Sequence, residues 1–364
     1  MLLHTIVQYL GEVAPLDYQE SYDNAGLITG NKNKEISSAL ITLDVTEEVI
    51  DEAIFHGCDL IISHHPLIFK GIKQLTGENE VERCLIKAIR NDLAIYASHT
   101  NLDSMLGGVN SKICSKIGLE NCRILSPVKN QLLKLITYVP EGHLTEVRDA
   151  LFSAGAGVIG NYDQCSFSHP GVGTFRGNEE SNPFVGNKGS MHNEKEFRLE
   201  TILPRHLVAK VVSALNSSHP YEEVAYDLLP LENYFPGAGV GMIGELATPC
   251  VELEILEKIK QIFGCQFIRH TSLLNKEIRQ IAVCGGSGSF MVPKAISAGA
   301  DLFITADFKY HDFFGADKRI LLADIGHYES EQFTKEVLKE IVLKKFPTFA
   351  LRLSDVKTNP VSYL

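Results

Sequence analysis

The sequence predicts an α/β protein built from two discontinuous halves, with a ferredoxin-like α+β domain inserted between them. Two observations carry this prediction. Apolar runs of strand length alternate with segments of helical periodicity over residues 1–128 and again over residues 233–364, which favours mainly parallel sheet covered by helices. Residues 129–232 follow a β-α-β…β-α-β order instead, which is typical of a ferredoxin-like module.

In the first half, the predicted elements follow one another closely. Residues 2–13 carry apolar side chains at helical spacing, and Thr46 is placed to cap a helix that ends at Phe55. The remaining predicted elements are strands at 38–45, 58–63 and 93–98 and helices at 81–90 and 109–117. The second of these strands runs into Pro66, which cannot continue a β ladder.

The middle segment differs from the first half. Its predicted strands lie at 132–139, 197–203 and 224–229, and its predicted helices lie at 145–153 and 206–217. The stretch 171–189 is rich in glycine and asparagine and predicts a long polar loop. Residues 233–244, which contain Pro236 and several glycines, predict a linker that returns the chain to the second half.

The second half resumes the alternation of the first. Helices are predicted at 253–263 and from 328 to 345. A third helix is predicted to follow residues 285–289 and to end at residue 297. Strands are predicted at 281–284, 301–305, 320–323 and 347–353. The two halves therefore repeat one architecture on either side of the inserted segment.

Composition and charge exclude several classes of protein. The net charge of −11 argues against a sequence-independent nucleic-acid binder, which carries a basic surface. We expect no membrane span and no signal peptide, because no apolar run is long enough and the first ten residues have no basic start. The scattered cysteines, without a C-x-x-C pair, predict reduced thiols in a cytoplasm. Any metal must then be held by His, Asp and Glu.

Three predicted strands end in side chains that can bind metal. The first ends in Ser63-His64-His65, the second in His99 to Asp103, and the third in Gly326-His327 with Glu331. His327 and Glu331 are four residues apart and so share one helix face. In open α/β sheets, ligands bind beyond the carboxyl ends of the strands, so the three sets are expected to converge. Taken singly, each set could instead be a loop histidine or a helix start.

The types of side chain indicate the chemistry. Imidazoles and carboxylates without thiolates suit Zn²⁺, Mn²⁺ or Fe²⁺. Five or six such groups are too many for one tetrahedral zinc, whereas two ions that share Asp103 or Glu331 would use them all. Ion pairs of this kind activate water as a nucleophile, so the sequence predicts hydrolysis.

Several motifs together resemble one known family. They are Tyr22-Asp-Asn-Ala-Gly-Leu27, Ser63-His-His-Pro66, His99-Thr-Asn-Leu-Asp103, Gly285-Gly-Ser-Gly288 and Gly326-His-Tyr-Glu-Ser-Glu331. The chain resembles the GTP cyclohydrolase 1 type 2 homologue family, also called the Nif-three-like family, across both α/β halves. The middle segment, with His219-Pro-Tyr-Glu-Glu223, is similar to the PII- or CutA-like insert of longer bacterial members.

The resemblance implies a ligand set, an assembly and an activity. Residues that match the family's dinuclear metal ligands are His64, His65, Asp103, His327 and Glu331. His99 matches a site histidine that is either a ligand or an acid/base residue, and we assign it a catalytic role. Two divalent ions per subunit are implied, zinc first, with iron or manganese as alternatives. The family assembles as a toroidal homohexamer, and GTP ring opening has been assigned to members of it.

In the GTP reaction, water activated by the metal ions would add to C8 of guanine while an acid such as His99 protonates the departing nitrogen. The alternative function is a metal-binding hexameric regulatory or chaperone-like assembly without GTP cyclohydrolase activity. Residues 285–289 could be a phosphate cradle or a tight structural turn. Asp307, Lys309 and His311 follow another strand end and could reach the crevice.

Overall fold

The alternation of strands and helices along the chain produces a mixed α/β fold. The computed structural model describes residues 1–362 and 364. It divides into two units: unit 1 comprises Met1–Ser126 and Gly237–Leu364, and unit 2 comprises Pro127–Pro236. The chain leaves unit 1 within strand β5 (Leu119–Val128) and returns to it within strand β10 (Phe235–Val251).

The part of unit 1 before the insertion holds α1 (Leu3–Val13), β1 (Gly26–Thr29), β2 (Ser38–Thr42), α2 (Glu47–Phe55), β3 (Leu60–Ser63), α3 (Glu80–Arg90), β4 (Ala94–Ala97), α4 (Thr100–Asp103) and α5 (Val109–Ile117). Unit 2 holds β6 (Leu132–Pro140), α6 (Leu144–Ser153), β7 (Ser166–Phe175), β8 (His192–Pro204), α7 (Val208–Ser218) and β9 (Tyr226–Leu231). The rest of unit 1 holds α8 (Glu252–Phe263), β11 (Arg269–His270), β12 (Glu277–Ser287), α9 (Val292–Ser297), β13 (Leu302–Ala306), β14 (Leu321–Asp324), α10 (His327–Glu331), α11 (Thr334–Lys345) and β15 (Ala350–Leu353).

Unit 1 contains two sheets. The first has the strand order β1-β4-β3-β2-β15, in which the last four strands are parallel and β1 is antiparallel to β4. Strands β3 and β4 are buried along their whole length, as parallel strands covered on both faces must be. The second sheet has the order β11-β14-β13-β12-β10-β5, and its central strands β12, β13 and β14 are parallel.

The largest core cluster of unit 1 joins the two sheets through helices. It holds side chains of α1, α5, α8 and α11 together with Ile41, Ile62, Ile281 and Ile304 from the sheets. A second cluster packs α2 and α3 on the other face of the first sheet. A third covers the second sheet with α9 and the residues around it. Because both sheets share one core, the carboxyl ends of their parallel strands are held in fixed positions.

Unit 2 has its own core and its own sheet. The four antiparallel strands have the order β7-β8-β6-β9 and are connected as β-α-β-β-α-β. Helices α6 and α7 bury Val147, Leu151, Val211 and Leu215 against the sheet. The apolar side chains of β6 and β8 that meet them lie on one face of the sheet, an even number of residues apart within each strand: Leu133, Leu135, Val139, Leu199 and Leu203.

Two loop predictions are wrong. The stretch 171–189 was expected to be a loop, but β7 extends through its first residues and pairs with β8 up to Phe175. β7 is an edge strand, where proline and glycine are tolerated because only one side is paired. Residues 233–244 were expected to be a linker, but most of them lie in β10. Glycine allows the two backbones to approach closely at Gly241, because a Cβ there would lie 2.8 Å from the Val283 carbonyl oxygen.

The predicted long helix from 328 to 345 is two helices, α10 and α11. The side-chain amide of Gln332 donates to the Glu329 carbonyl and to the Phe263 carbonyl, which fixes the chain at the break. No glycine or proline marks this position in the sequence. Within residues 1–362 and 364, no helix is long and apolar enough to cross a membrane.

Candidate metal centre

The carboxyl ends of strands from both sheets of unit 1 carry the predicted site residues. His64 directly follows β3, His99 follows β4, and His327 begins α10 just after β14. The β ladder continues past the strand ends, because the His65 N–H donates to the Leu43 carbonyl at 2.9 Å and the Ser98 N–H donates to the Ser63 carbonyl at 2.9 Å. The backbone therefore fixes where these imidazoles begin.

His64 is fully buried and presents one ring nitrogen to the centre of the site. Its Nδ1 donates to the Ser98 carbonyl at 2.8 Å, so Nε2 is the ring nitrogen that carries the lone pair when the ring is neutral. That Nε2 has no hydrogen-bond partner and lies 3.6 Å from Asp103 Oδ1 and 3.7 Å from Glu331 Oε1. A buried nitrogen lone pair aimed at two carboxylates is suited to a cation between them.

Glu331 lies between the imidazoles. Its Oε2 is 3.0 Å from Nε2 of His65 and 3.0 Å from Nε2 of His327, so it pairs with both rings by charge, although neither contact has the geometry of a regular hydrogen bond. Burial alone would raise the pKa of Glu331, but the imidazoles of His327 and His64 hold that pKa well below its usual range. Glu331 is therefore an ionised carboxylate in the interior, ready to accept a cation.

Asp103 stands at the end of α4, and its Oδ1 is also buried without a hydrogen-bond partner. Burial raises the pKa of Asp103 to about 7, against the attraction of His64 and with the repulsion of Glu331. Two carboxylates this close cannot both ionise freely unless positive charge lies between them.

An outer row of three aspartates holds three of the imidazoles. Nδ1 of His65 donates to Asp44 at 2.7 Å, Nδ1 of His327 donates to Asp307 at 2.7 Å, and Nδ1 of His99 donates to Asp23 at 2.8 Å. Carboxylates in this position fix the tautomer and orientation of metal-binding imidazoles. Sequence reasoning named Asp307 only as a possible neighbour and missed Asp23 and Asp44 as partners of the imidazoles.

These contacts also change the charge of the imidazoles. Burial lowers the pKa of His65, but Asp44 and Glu331 outweigh it and raise the pKa to about 10. For His327 the same competition, with Asp307 and Glu331, raises the pKa to about 11. In the absence of bound cations, both rings are therefore protonated at neutral pH. The carboxylates therefore attract positive charge strongly enough to keep the imidazoles of His65 and His327 protonated.

The ligand atoms form three overlapping groups, each within 4.8 Å. The groups are His64, His65 and His99; His65, His327 and Glu331; and His64, Asp103 and Glu331. All six residues that the sequence singled out are thus brought to one place. Lys309 and His311 are not among the residues that line the cavity there, whereas Asp307 contacts His327.

The glycines at the end of β12, Gly285 and Gly286, lie against this site. Gly286 has φ +62°, and a Cβ there would lie 2.3 Å from Glu331 Oε1, so only glycine lets the carboxylate take its position. The N–H of Gly285 donates to Asn110 Oδ1 at 2.9 Å, and the N–H of Gly286 donates to Ser330 Oγ at 2.9 Å. Of the two readings of this loop, the tight structural turn agrees with these contacts.

The site opens into a cavity of about 650 Å³. Its lining includes His65, His99, Asp103, His327 and Glu331, so a small molecule in the cavity would contact the cluster directly. The volume is in the range of cavities that hold small organic ligands.

Comparison with known proteins gives a consistent result along the whole chain. The family model described as Duf34/NIF3 (NGG1p interacting factor 3) matches residues 1–360. The chain is 39% identical over 365 residues to a protein of Halalkalibacterium halodurans named GTP cyclohydrolase 1 type 2 homolog, covering 99% of this chain and 98% of that one. It is 36% identical over 369 residues to the protein of that name in Bacillus subtilis, covering 99% and 98%.

A solved structure of a Bacillus cereus protein related to NIF3 has a similar fold. It superposes with a TM-score of 0.87 at 37% sequence identity, covering 100% of this chain and 99% of that one. The similarity therefore includes both units and is not limited to the motifs around the site.

Proposed function

The chain belongs to the Duf34/NIF3 family, and from that premise we propose that it is a hydrolase of a nucleotide-like small molecule that depends on two divalent metal ions. The relatives carry the name GTP cyclohydrolase 1 type 2 homolog, so the specific reaction we propose is the opening of the guanine ring of GTP. One observation carries the proposal: His64 Nε2 and Asp103 Oδ1 are buried atoms without hydrogen-bond partners, and they converge on the ionised Glu331. Such atoms cost about 1–3 kcal/mol each unless a ligand satisfies them.

Two of the three groups of side chains support two ion positions. We propose that His64, Asp103 and Glu331 would hold one ion and that His65, His327 and Glu331 would hold the other, since Glu331 belongs to both groups. Imidazole nitrogens and carboxylate oxygens fit zinc first, with iron or manganese as alternatives. When bound, such a pair polarises the substrate and lowers the pKa of water.

We assign proton transfer to His99. Asp23 accepts from its Nδ1–H, so Nε2 is the ring nitrogen left to act in the cavity that His99 lines. In the opening of the guanine imidazole ring, water adds to C8 and a ring nitrogen departs with the bonding electrons. That nitrogen needs a proton, and a positioned imidazole supplies one efficiently near neutral pH.

The organisation of the chain is part of the proposal. We assign residues 1–128 and 233–364 to one Nif-three-like metal-binding domain and residues 129–232 to a ferredoxin-like insert of the PII or CutA type. The strand order and β-α-β-β-α-β connectivity of unit 2 support this assignment. We propose a cytoplasmic toroidal homohexamer; all eight cysteines are free, which suits a reducing compartment.

A second candidate is a metal-binding regulatory or chaperone-like hexamer without GTP cyclohydrolase activity. The separate core of unit 2 favours it, because a domain that supplies none of the six residues above must have another use. Replacing residues 129–232 with a short linker separates the candidates. If the natural protein turns over no substrate and the replacement abolishes the hexamer or the binding of a small molecule, the regulatory candidate is supported.

The test of the hydrolase is direct. Tag-free protein is reloaded with Zn²⁺, Mn²⁺ or Fe²⁺ and offered a panel of nucleosides, nucleotides and phosphoesters, with products followed by mass spectrometry. We expect turnover by the natural protein, none by Glu331→Gln, and a loss of about 10²–10⁴-fold in His99→Gln. Failure of every metal form on every member of the panel would contradict the proposal.

A further inference from the structure

The cavity over the metal centre carries negative charge at its entrance as well as at its base. Glu20 and Glu80 are exposed and line it, in addition to Asp44, Asp103 and Glu331. Among the described residues that line the cavity, none is lysine or arginine. We call these two exposed carboxylates the acidic rim of the cavity.

The acidic rim is connected to the metal centre by a hydrogen bond. The backbone N–H of Glu20 donates to Thr100 Oγ1 at 2.9 Å, and Thr100 directly follows His99. Burial raises the pKa of the neighbouring Tyr22 phenol, and the charges of Glu20, Asp23 and Asp103 add to that shift. The carboxylates of the rim therefore lie beside the site but outside the ligand cluster, whose own negative charge the bound ions would offset.

Aromatic rings stand at the same mouth. Tyr22, Phe69 and Phe290 line the cavity and are 66%, 50% and 66% exposed. Phe69 contacts the imidazole of His99 edge to face, with ring centroids 5.7 Å apart. Exposed rings beside a reactive imidazole offer stacking surfaces for a flat ligand, and their faces attract cations.

The loop that could have held phosphates is already engaged. The N–H groups of Gly285 and Gly286 donate to Asn110 and Ser330, and the Ser287 hydroxyl donates to Asp307. Phosphate cradles depend on free N–H groups that converge on the anion. These donors are turned toward the protein, so the loop shapes the metal site and offers these groups to no polyphosphate.

We propose that this site takes a planar heterocycle that is neutral or positively charged and carries no phosphate, in preference to a nucleoside triphosphate. The inference rests on the proposed hydrolase function and specifies its substrate class. The aromatic rings would stack the heterocycle beside His99, and the acidic rim would repel each added phosphate.

The test uses a series in which the base stays the same and the charge changes. Full-length protein loaded with Zn²⁺ or Mn²⁺ is titrated with guanosine, 7-methylguanosine, GMP and GTP by calorimetry at low salt, and turnover of each is followed by mass spectrometry. We expect guanosine and the cationic 7-methylguanosine to bind at least about tenfold more tightly than GTP, with GMP between them. Added salt should narrow the difference, because it screens the exposed carboxylates of the rim.

The double variant Glu20→Gln/Glu80→Gln isolates the rim. It should bring the GTP affinity toward that of guanosine, because it removes two negative charges from the path of the phosphates. The matched control is Glu12→Gln/Glu257→Gln, which makes the same charge change at exposed helix positions outside the cavity lining. The control should leave the ratio of guanosine to GTP affinity as it is.

Two results would overturn the substrate class: GTP binding as tightly as guanosine in both the natural protein and the rim variant, or no binding by any of the four probes. Metal content measured on the same samples keeps the two proposals apart. If metal is retained and GTP is opened as fast as guanosine, the hydrolase stands and the substrate class is wrong. If no metal is retained after reloading, the proposed function itself has failed.

Discussion

Two buried polar clusters of this chain both combine histidine with carboxylate side chains, and they differ in how their polar atoms are hydrogen-bonded. In unit 2, both ring nitrogens of His219 are used, since Nε2 donates to the Tyr138 carbonyl at 3.0 Å and Nδ1 accepts from the Tyr221 N–H at 3.1 Å. Glu196 accepts the Tyr221 hydroxyl at 2.7 Å. In unit 1, His64, Asp103 and Glu331 each keep one buried atom without a hydrogen-bond partner.

The difference separates a structural cluster from a binding site. Burying a polar group is tolerable when protein atoms satisfy it, and it is costly when none does. His219 is stabilised in its neutral form, because burial lowers its pKa. His65 and His327 have raised pKa values and face an ionised Glu331. A cluster that attracts positive charge and has buried nitrogen and oxygen lone pairs without hydrogen-bond partners is suited to bind a cation.

The largest expected effect is the loss of the central carboxylate. Glu331→Gln keeps the shape and removes the charge that faces three imidazoles. We expect metal affinity, measured by competition with a chromogenic chelator, to fall by more than about 100-fold, because even outer partners of metal ligands cost about 10–100-fold. The control is Glu340→Gln, an exposed position on α11. Equal metal affinity in both variants would remove the distinction between the two clusters.

The next effect is on pH. With pKa values of about 10 and 11, the imidazoles of His65 and His327 hold protons at neutral pH in the metal-free protein. Metal binding must displace these protons, so affinity rises with pH and falls as pH is lowered. The chelator titration at pH 6, 7 and 8 should show a change of up to about 100-fold per unit, two protons being released. A flat profile would mean that the rings are not ligands.

A smaller effect is expected from the outer aspartates. Asp44→Asn and Asp307→Asn keep a hydrogen-bond acceptor for Nδ1 but remove the negative charge behind each imidazole. Each should weaken metal binding by about 10–100-fold and lower the pKa of its imidazole in the metal-free protein. The histidine pKa values can be followed by NMR. Asp17→Asn, at an exposed position outside the cavity lining, provides the comparison. If Asp44→Asn and Asp307→Asn both bind metal as tightly as Asp17→Asn, these aspartates do not position the imidazoles.

The smallest effect belongs to unit 2. Tyr221→Phe removes the hydroxyl that satisfies the buried Glu196 and should lower the free energy of unfolding by about 1–3 kcal/mol. Metal content should stay unchanged, since the cluster is closed by protein atoms. Tyr162→Phe is the control, because that ring is 75% exposed. Chemical denaturation measures the free energy of unfolding, and elemental analysis measures the metal content. A drop in metal content would show that the two clusters are not different in kind.

The strand-end rule accounts for most of what the sequence could predict. His64, His99 and His327 follow β3, β4 and β14, and parallel strands present their carboxyl ends together. Thr46 caps α2 as predicted, with its hydroxyl accepting from the Val49 N–H at 3.3 Å. These features depend on local residues and on the handedness of α/β units, and both are readable from one sequence.

What the sequence could not predict depends on distant partners. Asp44 and Asp307 also follow strands, β2 and β13, so the same rule could have found them; Asp23 lies in a loop and meets His99 only in the folded chain. The glycine-rich β10 and the edge strand β7 are strands because neighbours pair with them, which periodicity does not reveal. The break between α10 and α11 depends on Gln332 contacts and on no helix-breaking residue.

Elemental analysis of tag-free protein as purified, with Glu331→Ala purified beside it, measures the metal content of the site. We predict about two transition-metal ions per chain in the natural protein, since five to six ligand groups exceed the needs of one ion. We also predict a sharp fall in the variant. Metal near zero in the natural protein, unchanged after reloading with zinc, manganese or iron, would contradict the central claim that these open polar atoms form a metal centre.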